Sequence, residues 1–272
     1  MIKLENVVLA SPEQMEFIIE GMRNPMNSWK KSDSYAGHEY MGTGNEYFKL
    51  GENDHSLMQR LSDAGTEHRK YMRMMPVYVR ITAPLYWWKE FDTYKIGTVA
   101  NSCSTMHKIA EKEFSLEDFS CEHLGVFIPA EKNDGVEDYR NLWIAALEET
   151  IDYLNVARTF YNRETDPELK KKYWWQMIQL LPSSYNQTRN VMLNYEVLAN
   201  IYRQRKNHKL DEWREFCKWI ETLPYSELIT VKKKSFSALS PMLQPGYMYA
   251  QNECINPDVD QISEYLKTLW LR

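Results

Sequence analysis

The chain has 272 residues, of which 43% are hydrophobic and 26% charged, with a formal net charge of −5. That balance belongs to a globular protein able to bury a substantial core, and the acidic sign excludes a protein that coats nucleic acid polymers. No apolar run is long enough to cross a bilayer and the N-terminus lacks the build of a signal peptide, so the expected compartment is the cytoplasm.

Residues Ile2 to Leu9 alternate as a first strand. Ser11-Pro12-Glu13-Gln14 is a capping box with proline at the first helical position, which predicts a helix to about Met22. From Asn24 to Asp54 the composition is that of a long polar loop, followed by a short helix from His55 closed at Gly65. Pro76 to Thr82 is the clearest strand, with Val77, Val79 and Ile81 on one face and Tyr78 and Arg80 on the other. Thr82 then reads as the cap of a helix carrying Tyr86-Trp87-Trp88, and Gly97 to Met106 as a loop behind it.

A further helix is expected to begin near Ser115. A long amphipathic helix is predicted over Val136 to Tyr161, burying Leu142, Ala146, Ile151, Leu154 and Ala157. Asp166-Pro167 starts the next helix, which ends at Leu181-Pro182. Asn186 to Leu193 reads as a strand, Asn194 to Arg205 as a helix, and Leu210 to Leu223 as another. The remainder, from residue 230 to 272, reads as an extension closed by a short helix. The fold class is therefore α/β in the α+β sense, a central sheet flanked by helices, with one domain over 1–229 and the extension beyond it.

Cys103, Cys121, Cys217 and Cys254 are far apart and form no CxxC pair, so they read as reduced thiols. Cys121 and His123 lie two apart without a second pair to complete a metal site, and no metal is expected.

Three segments, in order, resemble the flavin-dependent thymidylate synthases. The first runs from Leu57 to His68 and on to the strand ending at Pro84; the second is Lys89 to His107; the third is Leu180 to Arg205. In the third, Leu181-Pro182, Asn194, Leu198, Asn200 and Arg205 keep the family's register without a gap. In the second, Asn101 and Ser104 match the family's signature, and His107 stands in place of its final tyrosine. Thr93, Tyr94 and Lys95 replace its Arg-His-Arg triplet, while Ser102 and Met106 replace its glutamate and a further arginine. Glu90 stands where the family reads the pyrimidine with glutamine, and Ile178 and Glu196 stand where it has arginines.

The resemblance implies a flavin-dependent one-carbon transfer to a pyrimidine deoxynucleotide. It implies FAD at the subunit interfaces of a homotetramer, with NADPH and methylenetetrahydrofolate as co-substrates. By it, His68, Lys95, Asn194 and Asn200 are assigned to the flavin, and Glu90, Ser102, Ser104 and Arg205 to the nucleotide. No protein nucleophile is implied, because reduced flavin acts on the base. The lost arginines weaken the expected grip on phosphate, since charge-assisted contacts contribute roughly 1.5–3 kcal/mol each, and Glu196 is expected to add repulsion. The rival reading is a non-catalytic nucleotide-binding or assembly protein that keeps the fold and has lost the flavin site. The Tyr86-Trp87-Trp88 and Tyr173-Trp174-Trp175 clusters read as packing, His107 and His208 as ordinary polar residues, and Cys103 as a small buried thiol.

Overall fold

The computed structural model describes residues 2–38, 46–124 and 142–230. Two layers organise them. A four-stranded antiparallel sheet in the order β1-β4-β6-β5 carries the first layer. Its members are β1 (Lys3–Leu9), β4 (Pro76–Pro84), β5 (Val99–Ser102) and β6 (Asn186–Asn194); β2 (Tyr35–His38) and β3 (Glu46–Lys49) form a separate hairpin. The helices are α1 (Pro12–Arg23), α2 (Glu52–Asp63), α3 (Leu85–Phe91), α4 (Thr105–Lys108), α5 (Leu142–Arg163), α6 (Pro167–Leu180), α7 (Tyr195–Arg205), α8 (Asp211–Glu221) and α9 (Glu227–Thr230).

The central pair is β4 against β6, in unbroken register from Pro76 opposite Asn194 to Pro84 opposite Asn186. Period-two alternation sends Val77, Val79 and Ile81 of β4 and Val191 and Leu193 of β6 into the core. The other face keeps Tyr78 and Val8 open to solvent. Strand β1 bulges between Glu5 and Val8, where Asn6 takes a left-handed φ of 52°.

Against the inner face lie α1, α3, α7 and α8, and the aromatic residues of α3 and α8 interlock. Trp87 stacks on Phe91 at 5.0 Å between ring centroids and meets Trp213 at 4.7 Å. Trp87, Trp88, Trp213 and Phe216 are all buried, as the packing reading of Tyr86-Trp87-Trp88 expects. A second core joins α5 and α6 around Ile151, Leu154, Met177, Phe114 and Phe119. Ile178 packs against this second core.

Local signals place several elements well. The Ser11 capping box closes around Gln14, Asp166 caps α6 and Asn194 caps α7. Other expectations change. The stretch expected as a loop from Gly97 contains β5, because its backbone groups find partners on β6 that no local pattern announces. Thr82 is no helix cap: β4 continues to Pro84, and Thr82 Oγ1 meets Thr188 Oγ1 across the sheet at 2.7 Å. The free amides of α3 are met instead by backbone, Leu85 N–H donating to Tyr185 O and Tyr86 N–H to Ser183 O, each at 3.0 Å.

The Asn24 to Asp54 stretch holds two 3₁₀ turns and the β2–β3 hairpin, and α2 begins at Glu52, ahead of His55. Ser115 opens only a single 3₁₀ turn, Leu116–Asp118. Within α5, Ala146 is exposed and Leu147 takes the inward place. The expected start of that helix at Val136 and the segment 231–272 lie outside the described residues.

Candidate functional site

The most developed polar cluster sits where the C-terminal ends of α3 and α7 meet the start of α8. Helix α3 turns Trp87, Trp88 and Phe91 inward, which leaves Glu90 on the outer side. Helix α7 buries Leu198 and Ile201 and presents Arg205 from its last turn, where a cation is favoured by the helix dipole.

Arg205 and Glu90 meet across 115 residues of sequence, Nη1 to Oε2 at 2.6 Å. The same oxygen accepts from Trp213 Nε1 at 3.0 Å. Arg205 Nε donates to Tyr94 Oη at 2.9 Å, and Tyr94 donates onward to Gln204 Oε1. The guanidinium lies 4.8 Å from the Trp213 ring centroid. Leu210 N–H donates to His208 Nδ1, and His208 Nε2 lies 3.0 Å from Arg205 Nη1 and 3.4 Å from the same Glu90 oxygen. Among the described residues, Arg205 Nη2 and Glu90 Oε1 take no partner. The corner therefore holds an anchored cation with an open donor edge beside an anchored carboxylate with an open acceptor, both partly exposed.

A second arginine is held in the same style. Arg189 Nη1 meets Asp92 Oδ1 at 2.7 Å, Nε donates to Gln187 Oε1 at 2.9 Å, and the guanidinium lies over Trp88 at 4.1 Å. Gln187 in turn donates to Cys103 O and Thr105 Oγ1. This chain of bonds ties the loop between β5 and α4 to the sheet.

Of the expected site residues, Glu90 and Arg205 are brought into contact and the others are not. Ser104 caps α4, accepting from His107 N–H at 3.1 Å. Ser102 is exposed on β5 opposite Arg189. Asn194 accepts from Val197 N–H at 3.0 Å as the cap of α7, and its amide lies against Gly97, where an added Cβ would come within 2.9 Å of Nδ2 at a φ of 75°. Asn200 accepts from Arg203 Nη2 at 2.9 Å. His68 and Lys95 are open to solvent.

Two expectations about neighbouring residues are overturned. Glu196 adds no free negative charge, because it is buried against Arg69 with Nε and Oε2 2.6 Å apart. Cys103 is exposed, carried outward at the end of β5. Tyr94 stands in the family's signature triplet, but His208 and Trp213 carry no sequence signal as a site; Trp213 and Glu90 lie 123 residues apart, and only packing joins them.

Among the described residues no three His, Cys, Asp or Glu side chains are grouped to hold a metal ion, and no helix is long and apolar enough to cross a membrane. No protein-family model matches the chain, and no curated protein matches its sequence. Solved structures do. A flavin-dependent thymidylate synthase, ThyX, from Helicobacter pylori, solved with FAD and dUMP, superposes with a TM-score of 0.53 at 15% identity, covering 84% of this chain and 97% of its own. The UMP/dUMP methylase PolB from Streptomyces cacaoi, bound to 5-Br dUMP, superposes at 0.52 and 14% identity, covering 88% of this chain and 96% of its own.

The fold is that of the flavin-dependent thymidylate synthases. The resemblance assigns four residues of this chain to a flavin. His68 and Lys95 stand in solvent, while the side-chain oxygens of Asn194 and Asn200 are engaged by their own helix.

Proposed function

We propose that this protein binds a pyrimidine nucleoside monophosphate at the Arg205 corner, in the service of nucleotide methylation. The observation that carries the reading is the Arg205–Glu90 pair, positioned by Tyr94 and Trp213, with one donor and one acceptor open. An open donor beside an open acceptor suits the Watson–Crick edge of a pyrimidine. Uracil offers a carbonyl and N3–H to such a pair; cytosine offers N3 and its amino group. The surrounding fold, shared with nucleotide methylases, supports the same chemical class. In this reading the active form is a homotetramer using FAD, NADPH and methylenetetrahydrofolate, with the flavin contacts drawn from more than one subunit.

A second reading is favoured by one specific observation. Ser104, Asn194 and Asn200, which keep the family's pattern, all spend their side-chain oxygens on local helix bonds. That is the state of a binding or assembly protein that retains the fold without the flavin site.

Two measurements separate the readings. Calorimetric titration with deoxyuridine and deoxycytidine monophosphates is expected to show binding that Arg205→Ala weakens by about 1.5–3 kcal/mol, the contribution of one charge-assisted contact. Arg205→Lys is expected to restore only part of it, because an ammonium cannot reproduce the guanidinium fork. Tight binding indifferent to Arg205→Ala would place the nucleotide elsewhere. The visible absorbance of the protein after incubation with FAD and desalting decides the rest: flavin bands support the enzyme, and nucleotide binding without flavin uptake supports the second reading.

A further inference from the structure

The Arg205 corner presents one donor and one acceptor side by side, and each is held so that it cannot exchange its role. Glu90 accepts from Arg205 Nη1 and from Trp213 Nε1 on the same oxygen, Oε2, at 2.6 and 3.0 Å. Those two bonds fix the carboxylate and leave Oε1 as its open atom among the described residues. Arg205 is fixed through Nε, which donates to Tyr94 Oη at 2.9 Å, and by its stacking on the Trp213 ring. Tyr94 gives its own proton to Gln204 Oε1 at 2.8 Å. A guanidinium only donates and a carboxylate only accepts, whereas a carboxamide in place of Glu90 could turn over and present either group. The two side chains are 19% and 35% exposed, shielded enough for charge to weigh in the choice of ligand and open enough to be reached.

Both common pyrimidines can meet this pair with two bonds, and the third group on the ring edge separates them. Uracil presents a carbonyl, N3–H and a second carbonyl in that order. Its N3–H has to face Glu90 Oε1 while one carbonyl accepts from Arg205 Nη2. The other carbonyl then falls on the far side of N3–H, beside the carboxylate, where like charges meet. Choosing the opposite carbonyl for Arg205 changes nothing, because N3–H lies between the two.

Cytosine presents an amino group, a bare N3 and a single carbonyl. Its amino group donates to Glu90 Oε1, the contact a carboxylate makes with cytosine in nucleic-acid readout, and N3 accepts from Arg205 Nη2. The leftover carbonyl then falls on the far side of N3, beside the guanidinium. The spare oxygen of uracil meets an anion; that of cytosine meets a cation.

Resting on the nucleotide reading above, we infer that the corner selects cytosine over uracil, with Glu90 as the specificity-determining residue and a cytosine nucleoside monophosphate as the ligand.

Calorimetric competition between dCMP and dUMP on the full chain reads the selection directly. The wild type is expected to bind dCMP more tightly by on the order of tenfold or more. Glu90→Gln keeps an acceptor for Trp213 Nε1 but can turn an amide N–H towards the base, and is expected to lose that preference. A merely structural role for Glu90 would lower both affinities together and leave their ratio alone. The pyrimidinone deoxynucleotide, which is dCMP without its amino group, should bind the wild type at least about tenfold more weakly than dCMP, the loss of one charge-assisted bond. A wild type that binds both nucleotides alike, or dUMP better, overturns the selection; if Arg205→Ala still weakens that binding, the corner itself stands as the nucleotide site. A dCMP preference that survives Glu90→Gln also overturns it, since the base is then read elsewhere. Binding of neither nucleotide removes the corner reading, and the selection falls with it.

Discussion

Two arginine–carboxylate pairs in this protein use the same chemistry to different ends. Arg23 and Asp54 are closed. Asp54 is fully buried and accepts from Arg23 Nε, from the Ser32 and Ser34 hydroxyls and from the Asp33 and Ser34 amides. Burial by itself pushes that carboxyl up, but the bonds from Ser34, Asp33, Ser32 and Arg23 outweigh it and hold it below its ordinary value. The pair pins the segment around Ser32 onto α1 and α2 and is shut off from solvent. Arg205 and Glu90 are open: each side chain is partly exposed, and each keeps one polar atom free among the described residues. A buried pair holds the fold, whereas one at the surface retains a means of recognising a ligand.

The largest expected effect lies on the closed side. Asp54→Ala leaves a buried guanidinium and several amides unmet, and should lower the unfolding free energy by about 3–5 kcal/mol, read from urea denaturation. A loss no greater than that of the corner variants would erase the distinction between the two pairs.

Acid tests the same pair. A depressed folded-state value means that the stabilisation is fully present above the ordinary carboxylate range and disappears as pH falls through the lower folded-state value. The urea midpoint of the wild type should therefore fall steeply below about pH 4, and Asp54→Asn, less stable at neutral pH, should show a shallower fall.

At the open pair the effects move from stability to binding. Arg205→Ala should cost the fold roughly 1 kcal/mol or less by thermal melting, since its partner Glu90 remains reachable by water, while nucleotide affinity falls as given above. A melt as damaging as that of Asp54→Ala would make Arg205 a structural residue. Smallest of all, Glu90→Gln keeps an acceptor for Trp213 Nε1 and should change unfolding free energy by under about 1 kcal/mol. A larger loss would show that the charge itself, and not the hydrogen-bond pattern, organises the corner.

The readable parts of the sequence are those in which the physics is local. Ser11 and Gln14 are three residues apart, as are Asn194 and Val197, so a capping bond is visible in the chain itself. Alternation in β4 and β6 names the inward residues because side chains flip sides at every step of a strand. The same reading places Arg205 at the end of α7 and Glu90 on α3 without showing that they touch.

What only the tertiary structure decided is every feature whose partner is distant in sequence. Val99–Ser102 becomes a strand because β6 is there to pair with it, and Thr82 becomes a sheet residue because Thr188 faces it. Glu196 loses its repulsive character to Arg69, 127 residues away, and Glu90 acquires Trp213 from a helix that the chain reaches much later. The sequence by itself determined where α1 and α6 begin, which faces are apolar and which residues are available for chemistry. Which of those residues meet was decided by packing, since a side chain's electrostatic partner is the group nearest in space, and along a folded chain that is seldom the group nearest in sequence.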